Sequence, residues 1–241
     1  NQGLIKNVYE GGSANYIKIA NRIWEQVKNP VTKKMITTGK YDDNSYFVDT
    51  NSYHRPQIFK YHNLVKQSLM KKYIKPNSVV LELAGGRGGD IAKLIGRKVK
   101  SVTFVEIDKN ALMEAKRRFS KLRTKIHFDF VQQDLTRDSP LPLPSSMLSY
   151  TVVQMNFALH YFFKYEKMFE AFVERVEKVT RPGSLWIITT LDGTKVSDMF
   201  YPDKKVIEFT PFKLERMYKE LYRFGSAIQF SSHTIKPRIE Y

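Results

Sequence analysis

There is no cysteine anywhere in the chain. Disulfide frameworks, thiolate zinc sites and cysteine nucleophiles are therefore excluded, while the compartment is only weakly constrained. Long apolar runs are missing too. None approaches the ~20 residues needed to span a bilayer, and no signal peptide opens the sequence, so a soluble protein is expected. Acidic residues are scarce beside basic ones, 24 Asp+Glu against 40 Lys+Arg, for a net charge of +16. That imbalance argues for a polyanionic partner, nucleic acid before others, met in a salt-sensitive encounter. The chain starts at Asn1 rather than Met, which suggests a processed or excised piece. What is present suffices for a core: 241 residues, 42% hydrophobic, fit one α/β domain with additions.

The central stretch is Val79-Val80-Leu81-Glu82-Leu83-Ala84-Gly85-Gly86-Arg87-Gly88-Gly89-Asp90. It reads as a strand ending in a carboxylate, a tight loop, then a helix. Four glycines in the five positions 85–89 imply a loop shaped around a ligand, because glycine tolerates positive φ and close backbone approach. A dinucleotide fingerprint would need a third glycine where Ile91 stands, and a Walker loop would need Gly-Lys-Ser/Thr; neither is here. A second acidic strand end follows. Glu106 closes the run Val102-Thr103-Phe104-Val105, twenty positions after Gly86, the usual distance to a carboxylate that accepts from ribose hydroxyls. This arrangement resembles the class I S-adenosylmethionine-dependent methyltransferases.

Taken in order, residues 1–15 read as an arm, and Tyr16 to Lys28 as an amphipathic helix that Asn29-Pro30 ends. Residues 1–57 are thus expected to form an N-terminal arm and helical extension, with the main domain over 58–241. Lys33 to Pro56 mixes Tyr41, Tyr46, Phe47 and Tyr53 with Lys34, Lys40, His54 and Arg55, a composition that suits either base stacking or simple packing. Helices are expected over Ile58 to Ile74, from Ile91, over Lys109 to Leu122 and over Tyr165 to Thr180. Strands are expected over Val102 to Ile107, Lys125 to Val131, Met147 to Met155 and Leu185 to Thr190. The alternation predicts a mostly parallel, doubly wound Rossmann-like sheet with the ligand at the carboxyl ends of its strands. After the fifth strand only one helix is expected, from Thr210-Pro211 through Leu214, Met217, Tyr218 and Leu221, leaving the sheet without its last strands.

Three further segments narrow the resemblance: His62-Asn63-Leu64-Val65-Lys66, Asn156 to Phe163, and Ile187-Ile188-Thr189-Thr190-Leu191-Asp192-Gly193. Over roughly residues 55–200 the chain resembles the mRNA cap guanine-N7 methyltransferases, most of all those within capping enzymes of large DNA viruses. That resemblance implies S-adenosylmethionine as cofactor, S-adenosylhomocysteine as product and the capped 5′ end of RNA as substrate. It also implies a larger capping enzyme with triphosphatase and guanylyltransferase domains, and a possible stimulatory subunit. Host cytoplasm or virion is implied for a viral chain, the nucleus for a cellular one.

Residue by residue, the resemblance sets Lys66 against the methionine carboxylate, beside Glu82, Ala84, Gly85, Gly86, Gly88 and Asp90. Glu106 would take the ribose, Asp134 the adenine amino group and Asn156 the methionine end, with neighbours Ile107, Leu135 and Phe157 also on the cofactor. Arg87 and Arg118 would point toward the cap triphosphate, His160 and Tyr161 would face the guanine, and Glu240 would read its edge. Ala84 stands where a glycine is usual, Glu replaces Asp at 82 and 106, and Asn156 replaces Gln. No acid/base catalyst and no metal are expected. Guanine N7 offers a free lone pair at neutral pH, so positioning carries the reaction. Two other readings are a cap ribose 2′-O methyltransferase and a catalytically inactive, RNA-binding relic. Asn156-Phe157-Ala158-Leu159 does not match the Asn/Asp-Pro-Pro-aromatic run of exocyclic-amine enzymes, and a relic would have no reason to keep both strand-end carboxylates.

Overall fold

A computed structural model describes residues 57–145, 149–209, 212–232 and 235–241, all within the compact unit Ser45–Tyr241. The expected arm, the helix over Tyr16 to Lys28 and the aromatic-basic loop lie outside the described residues. The chain alternates through α1 (Gln57–Tyr73), β1 (Val79–Leu83), α2 (Ile91–Gly96), β2 (Ser101–Glu106), α3 (Lys109–Ser120), β3 (His127–Gln132) and β4 (Tyr150–Asn156). A 3-10 turn (Leu159–Lys164), α4 (Glu166–Val179) and β5 (Thr180–Thr189) follow. These strands form one parallel sheet in the order β3-β2-β1-β4-β5. The order reverses between β1 and β4, which opens a crevice at their carboxyl ends.

Alternation along the strands divides the core into two layers. Val79, Leu81 and Leu83 face α4 with Met155, Phe162, Phe172 and Val176. Val80, Val102, Phe104 and Val152 face α1, α2 and α3 with Met70, Ile74, Leu94 and Ala115. By the same period of two, Glu82, Glu106 and Gln154 lie on the α1–α3 face at the strand ends. Side-chain alternation therefore places all three polar groups in one layer. Arg175 of α4 holds the segment after β3, donating to the carbonyls of Leu135 at 2.7 Å, Arg137 at 2.6 Å and Ser139 at 3.1 Å.

The helix expected from Thr210 is replaced by strand. After α5 (Gly193–Met199), the strands β6 (Val206–Phe209), β7 (Phe212–Arg216), β8 (Ile228–Ser232) and β9 (Ile235–Glu240) make a separate antiparallel sheet in sequential order. Phe212, Leu214 and Arg216 satisfy a period of two as readily as Leu214, Met217 and Leu221 satisfy a helical one. Pairing with β8 decides between them, and Met217 and Leu221 are left exposed. Among the described residues β5 forms an edge of the first sheet, and the last four strands pair only with one another. β5 also begins earlier than expected, at Thr180, and carries Arg181-Pro182-Gly183 through a register shift opposite Tyr150 and Val152. Among the described residues no helix is long and apolar enough to cross a membrane.

Arg175→Met is expected to leave the Leu135, Arg137 and Ser139 carbonyls without their charged donor. The cost should exceed about 2 kcal/mol, read as a Tm fall of roughly 4–8 °C for a chain of this size. An unchanged Tm would mean that solvent satisfies those carbonyls.

Candidate active site

The loop after β1 is the tightest part of the fold. Ala84 (φ 51°), Gly86 (φ 57°) and Gly88 (φ 73°) take positive φ. A Cβ on Gly85 would stand 2.3 Å from the Phe104 ring, and one on Gly88 would stand 2.6 Å from Ile91 Cδ1. Glycine is needed at 88 for both conformation and space, whereas at 85 the need is space alone. Ala84 carries its side chain in the left-handed region, the backbone geometry that a glycine would adopt without strain.

Glu106 fastens this loop to the second strand. Its Oε2 accepts from the Gly86 N–H at 2.7 Å and its Oε1 from the Asp108 N–H at 2.9 Å. Burial pushes its carboxyl above the usual range, and the bonds from Asp108 and Gly86 oppose that rise. Each oxygen retains acceptor capacity toward the crevice.

A charge cluster lies at the end of β1. Asp90 receives Lys66 Nζ at 2.8 Å on one oxygen and Lys93 Nζ at 2.5 Å on the other, with Asn156 Nδ2 at 3.3 Å. Burial pushes Asp90 upward, but Lys66 and Lys93 outweigh it, and its carboxyl lies below the ordinary aspartate range. Glu82 moves the other way. Burial first and then the Asp90 charge hold it well above the usual glutamate range, against the Lys66 and Lys93 ammoniums. Gln154 stands opposite it across the β1–β4 register, yet neither atom of its amide completes a hydrogen bond, and Glu82 Oε2 has no partner either. These are buried polar atoms with hydrogen-bonding capacity unused.

The segment after β4 closes the crevice. Asn156 Oδ1 accepts from the Thr189 hydroxyl at 2.9 Å. Phe157 takes a positive φ of 55° and packs its ring 4.7 Å from that of His62. His160 follows, buried, its ring 4.3 Å from Tyr161, and its Nε2 lies 3.5 Å from Glu240 Oε1 at the end of β9. Glu240 is only 3% exposed, so it is an interior carboxylate and no surface charge. Burial pushes it up to about 7, while a hydrogen bond from Tyr161 favours the charged form. Burial pushes His160 down to about 4. The second sheet is fastened here by the Gly225 N–H donating to Phe163 O at 2.9 Å and by Lys164 over the Tyr241 ring.

The structure thus brings Lys66, Glu82, the loop, Asp90, Glu106 and Asn156 together at the strand ends, and His160, Tyr161 and Glu240 beside one another. Ile107 is an exposed apolar side chain, whereas Leu135 is buried in the α4-side core. Asp134 directs its carboxylate to its own turn, accepting from the Thr136 N–H at 3.0 Å, the Thr136 hydroxyl at 2.6 Å and Arg137 Nε at 3.1 Å. Arg87 is half-buried in the loop. Arg118 pairs with Glu114 at 2.8 Å, one turn beyond the Ala115 that backs Gly88. Lys93, Gln154, Thr189 and His62 join the site without having been singled out individually. Lys93 carries a signal in its spacing of three from Asp90, and His62 belongs to a segment that carries the resemblance. The roles of Gln154 and Thr189 depend on strand register.

Glycine loop, acidic strand ends and strand order together define a class I methyltransferase fold. A solved S-adenosylmethionine-dependent methyltransferase from Clostridium acetobutylicum shares it, with a TM-score of 0.50 at 13% identity over 92% of this chain and 79% of that one. More narrowly, the pattern of the mRNA (guanine-N(7))-methyltransferase domain matches residues 34–228, and the chain belongs to that family. It is 21% identical to a probable mRNA-capping enzyme of Acanthamoeba polyphaga mimivirus, over 90% of this chain and 23% of that protein. It is 27% identical to an mRNA cap guanine-N(7) methyltransferase of Eremothecium gossypii, over 71% of this chain and 38% of that protein. The chain therefore spans well under half the length of these relatives.

Gly85→Ala is expected to cost ~1–3 kcal/mol through collision with Phe104, lowering Tm by several degrees. Adding Phe104→Leu to it should recover part of the loss. Equal Tm for Gly85→Ala and the parent would show that the ring yields freely.

Proposed function

We propose that this chain transfers a methyl group from S-adenosylmethionine to N7 of the guanine in a 5′ GpppN RNA cap. The observation that carries the reading is Glu240, an interior carboxylate delivered by a separate sheet to His160 and Tyr161 beside the glycine-loop crevice. A buried carboxylate at that place matches guanine, whose N1–H and N2–H₂ are neighbouring donors that one carboxylate accepts together.

The residues at the strand ends fit the cofactor. Glu82 Oε2 and the Gln154 amide are orphaned and buried, Glu106 keeps acceptor capacity, and Ile107 offers an exposed apolar surface. Lys66 would meet the carboxylate of the amino-acid end, Glu106 the ribose hydroxyls, Asp134 and Leu135 the adenine and Asn156 and Phe157 the methionine end. When bound, the cofactor supplies an electrophilic methyl on a sulfonium. This chain's residues then orient the acceptor. Glu240, Tyr161 and His160 fix the guanine plane, and Arg87 and Arg118 take up triphosphate charge as forked donors. No side chain has to remove a proton, because N7 carries none at neutral pH. Orientation alone can supply ~7–11 kcal/mol of the barrier.

As a piece of a larger capping enzyme, the chain would act beside triphosphatase and guanylyltransferase domains, with capped RNA as its partner. It would work in host cytoplasm or virion if viral and in the nucleus if cellular.

Methyl transfer from labelled S-adenosylmethionine to GpppA-capped RNA is the test. Label should appear at N7 of the unmethylated cap and be absent with uncapped RNA. Transfer to a pre-methylated cap would make this a 2′-O enzyme. Glu106→Ala should weaken S-adenosylhomocysteine binding by about 10–100-fold, the loss of one to two hydrogen bonds to a charged group. Retained affinity in calorimetry would remove Glu106 from the cofactor site.

Glu240 also sets a pH dependence. Its carboxyl is raised to about 7 by burial, so the free protein holds it neutral below that pH and ionised above it. Since guanine needs the charged acceptor, kcat/KM should rise through pH 7 and level near about 8. His160, pushed down to about 4, stays neutral over that range and adds no limb. Glu240→Gln should lower kcat/KM by about 30-fold or more and flatten the profile. A profile unchanged by that substitution would exclude Glu240 as the group responsible.

A further inference from the structure

The amino ends of the strands form the edge of the sheet opposite the crevice. Because all five strands are parallel, their amino ends share one side of the molecule, and three of the segments entering them are basic. The segment before β1 carries Lys75, the segment before β2 carries Lys98 and Lys100, and the segment before β3 carries Lys121, Arg123 and Lys125. All six are exposed, and residues 71–78, 97–100 and 120–126 contain no Asp or Glu. Their proximity is set by backbone pairing. The Asn77 N–H donates to Lys98 O at 3.0 Å, the Lys100 N–H to Ser78 O at 2.8 Å, and Ser101 stands opposite both Val79 and His127. Arg97 joins α1 to this edge by donating twice to Ile74 O.

Helix dipoles explain part of the charge. Lys71 and Lys72 occupy the last turn of α1, where a cation is favoured for that reason alone. The dipole effect fades within a turn, and Lys100 and Lys125 stand within two residues of the start of a strand. Nor is the charge neutralised nearby. None of the six meets a carboxylate among the described residues. Glu114 is taken by Arg117 and Arg118, and Asp129 of β3 is taken by His127 and Ser145. Glu177, near the end of α4, belongs to the other face of the sheet.

We infer that this edge binds the phosphate backbone of the RNA downstream of the cap. The inference rests on capped RNA being the substrate. Helix α3 measures the distance between the two edges, running from its Asp108 cap beside Glu106 back to Lys121. Its 12 residues span about 18 Å at ~1.5 Å per residue. A stacked strand with a phosphate every ~3.4 Å covers that length in about five or six nucleotides. A cap dinucleotide held at Glu240 therefore stops short of the edge, while a longer transcript reaches it. The edge discriminates by length and charge and reads no sequence, since lysines at phosphates carry none.

The test compares the parent chain with Lys98→Glu/Lys100→Glu/Lys125→Glu, and with the neutral Gln version to separate charge from fold. Binding of an uncapped 20-nucleotide RNA is followed by fluorescence anisotropy between 50 and 200 mM salt, and kcat/KM is measured on the GpppA dinucleotide. Charge reversal should weaken RNA binding by about tenfold or more, and the salt slope should fall by about 2, or ~0.7 for each of three phosphates. Turnover of GpppA should stay at the parent value. RNA affinity unaltered by charge reversal would overturn the inference and leave the edge to an acidic protein surface. A parallel fall in GpppA turnover would overturn it as well, since the lysines would then act at the catalytic end. If the parent chain fails to methylate GpppA, the activity proposal falls, and the uncapped RNA still decides this one.

Discussion

Two carboxylates, Glu82 and Asp90, stand nearly closed to water at the end of the first strand, and the ammoniums of Lys66 and Lys93 make that placement tolerable. An isolated charge buried this deeply would be prohibitively costly, so the pairs must form as the chain folds. The Lys66 pair ties α1 to the start of α2, and Asn156 carries the same cluster across to β4. The two groups divide unequally. Asp90 lies close to both cations and stays charged, while Glu82 is left with an orphaned oxygen and a raised pKa. That inequality leaves the Asp90 carboxylate fully paired and Glu82 with acceptor capacity to spare.

Glu106 belongs to the same logic by different means. It is held by backbone N–H groups instead of ammoniums, which ties the shape of the glycine loop to the exit of β2. The loop is therefore set from three sides: by the Phe104 ring beneath Gly85, by Ala115 behind Gly88, and by this carboxylate. Rigidity of this kind suits a reaction whose catalysis is positional.

The cluster around His160 is assembled from parts far apart in sequence. His160 and Tyr161 follow β4, whereas Glu240 arrives on the last strand of a second sheet. Among the described residues the buried carboxylates are Glu82, Asp90, Glu106 and Glu240, and all four lie at the strand ends or beside His160.

The central sheet was legible because its signals are local. Val79 to Leu83 is a short apolar run closed by glycines, and the helices around it show clear periodicity, so neighbouring residues suffice to define them. The strand-end carboxylates Glu82 and Glu106 could likewise be located by spacing from the loop. The ending was misread at Leu214 because five residues fit two periods equally, and a partner strand fourteen or more residues away chose between them. Gln154 carries no local signal for a related reason: its place in the site is set by strand register, which one segment does not contain. Sequence by itself determined which segments form the parallel sheet and where its ligand loop lies, since backbone propensity and apolar period act over a few residues. Only the tertiary structure decided that Glu240 is interior and faces His160, because burial is settled by the elements that close over a residue.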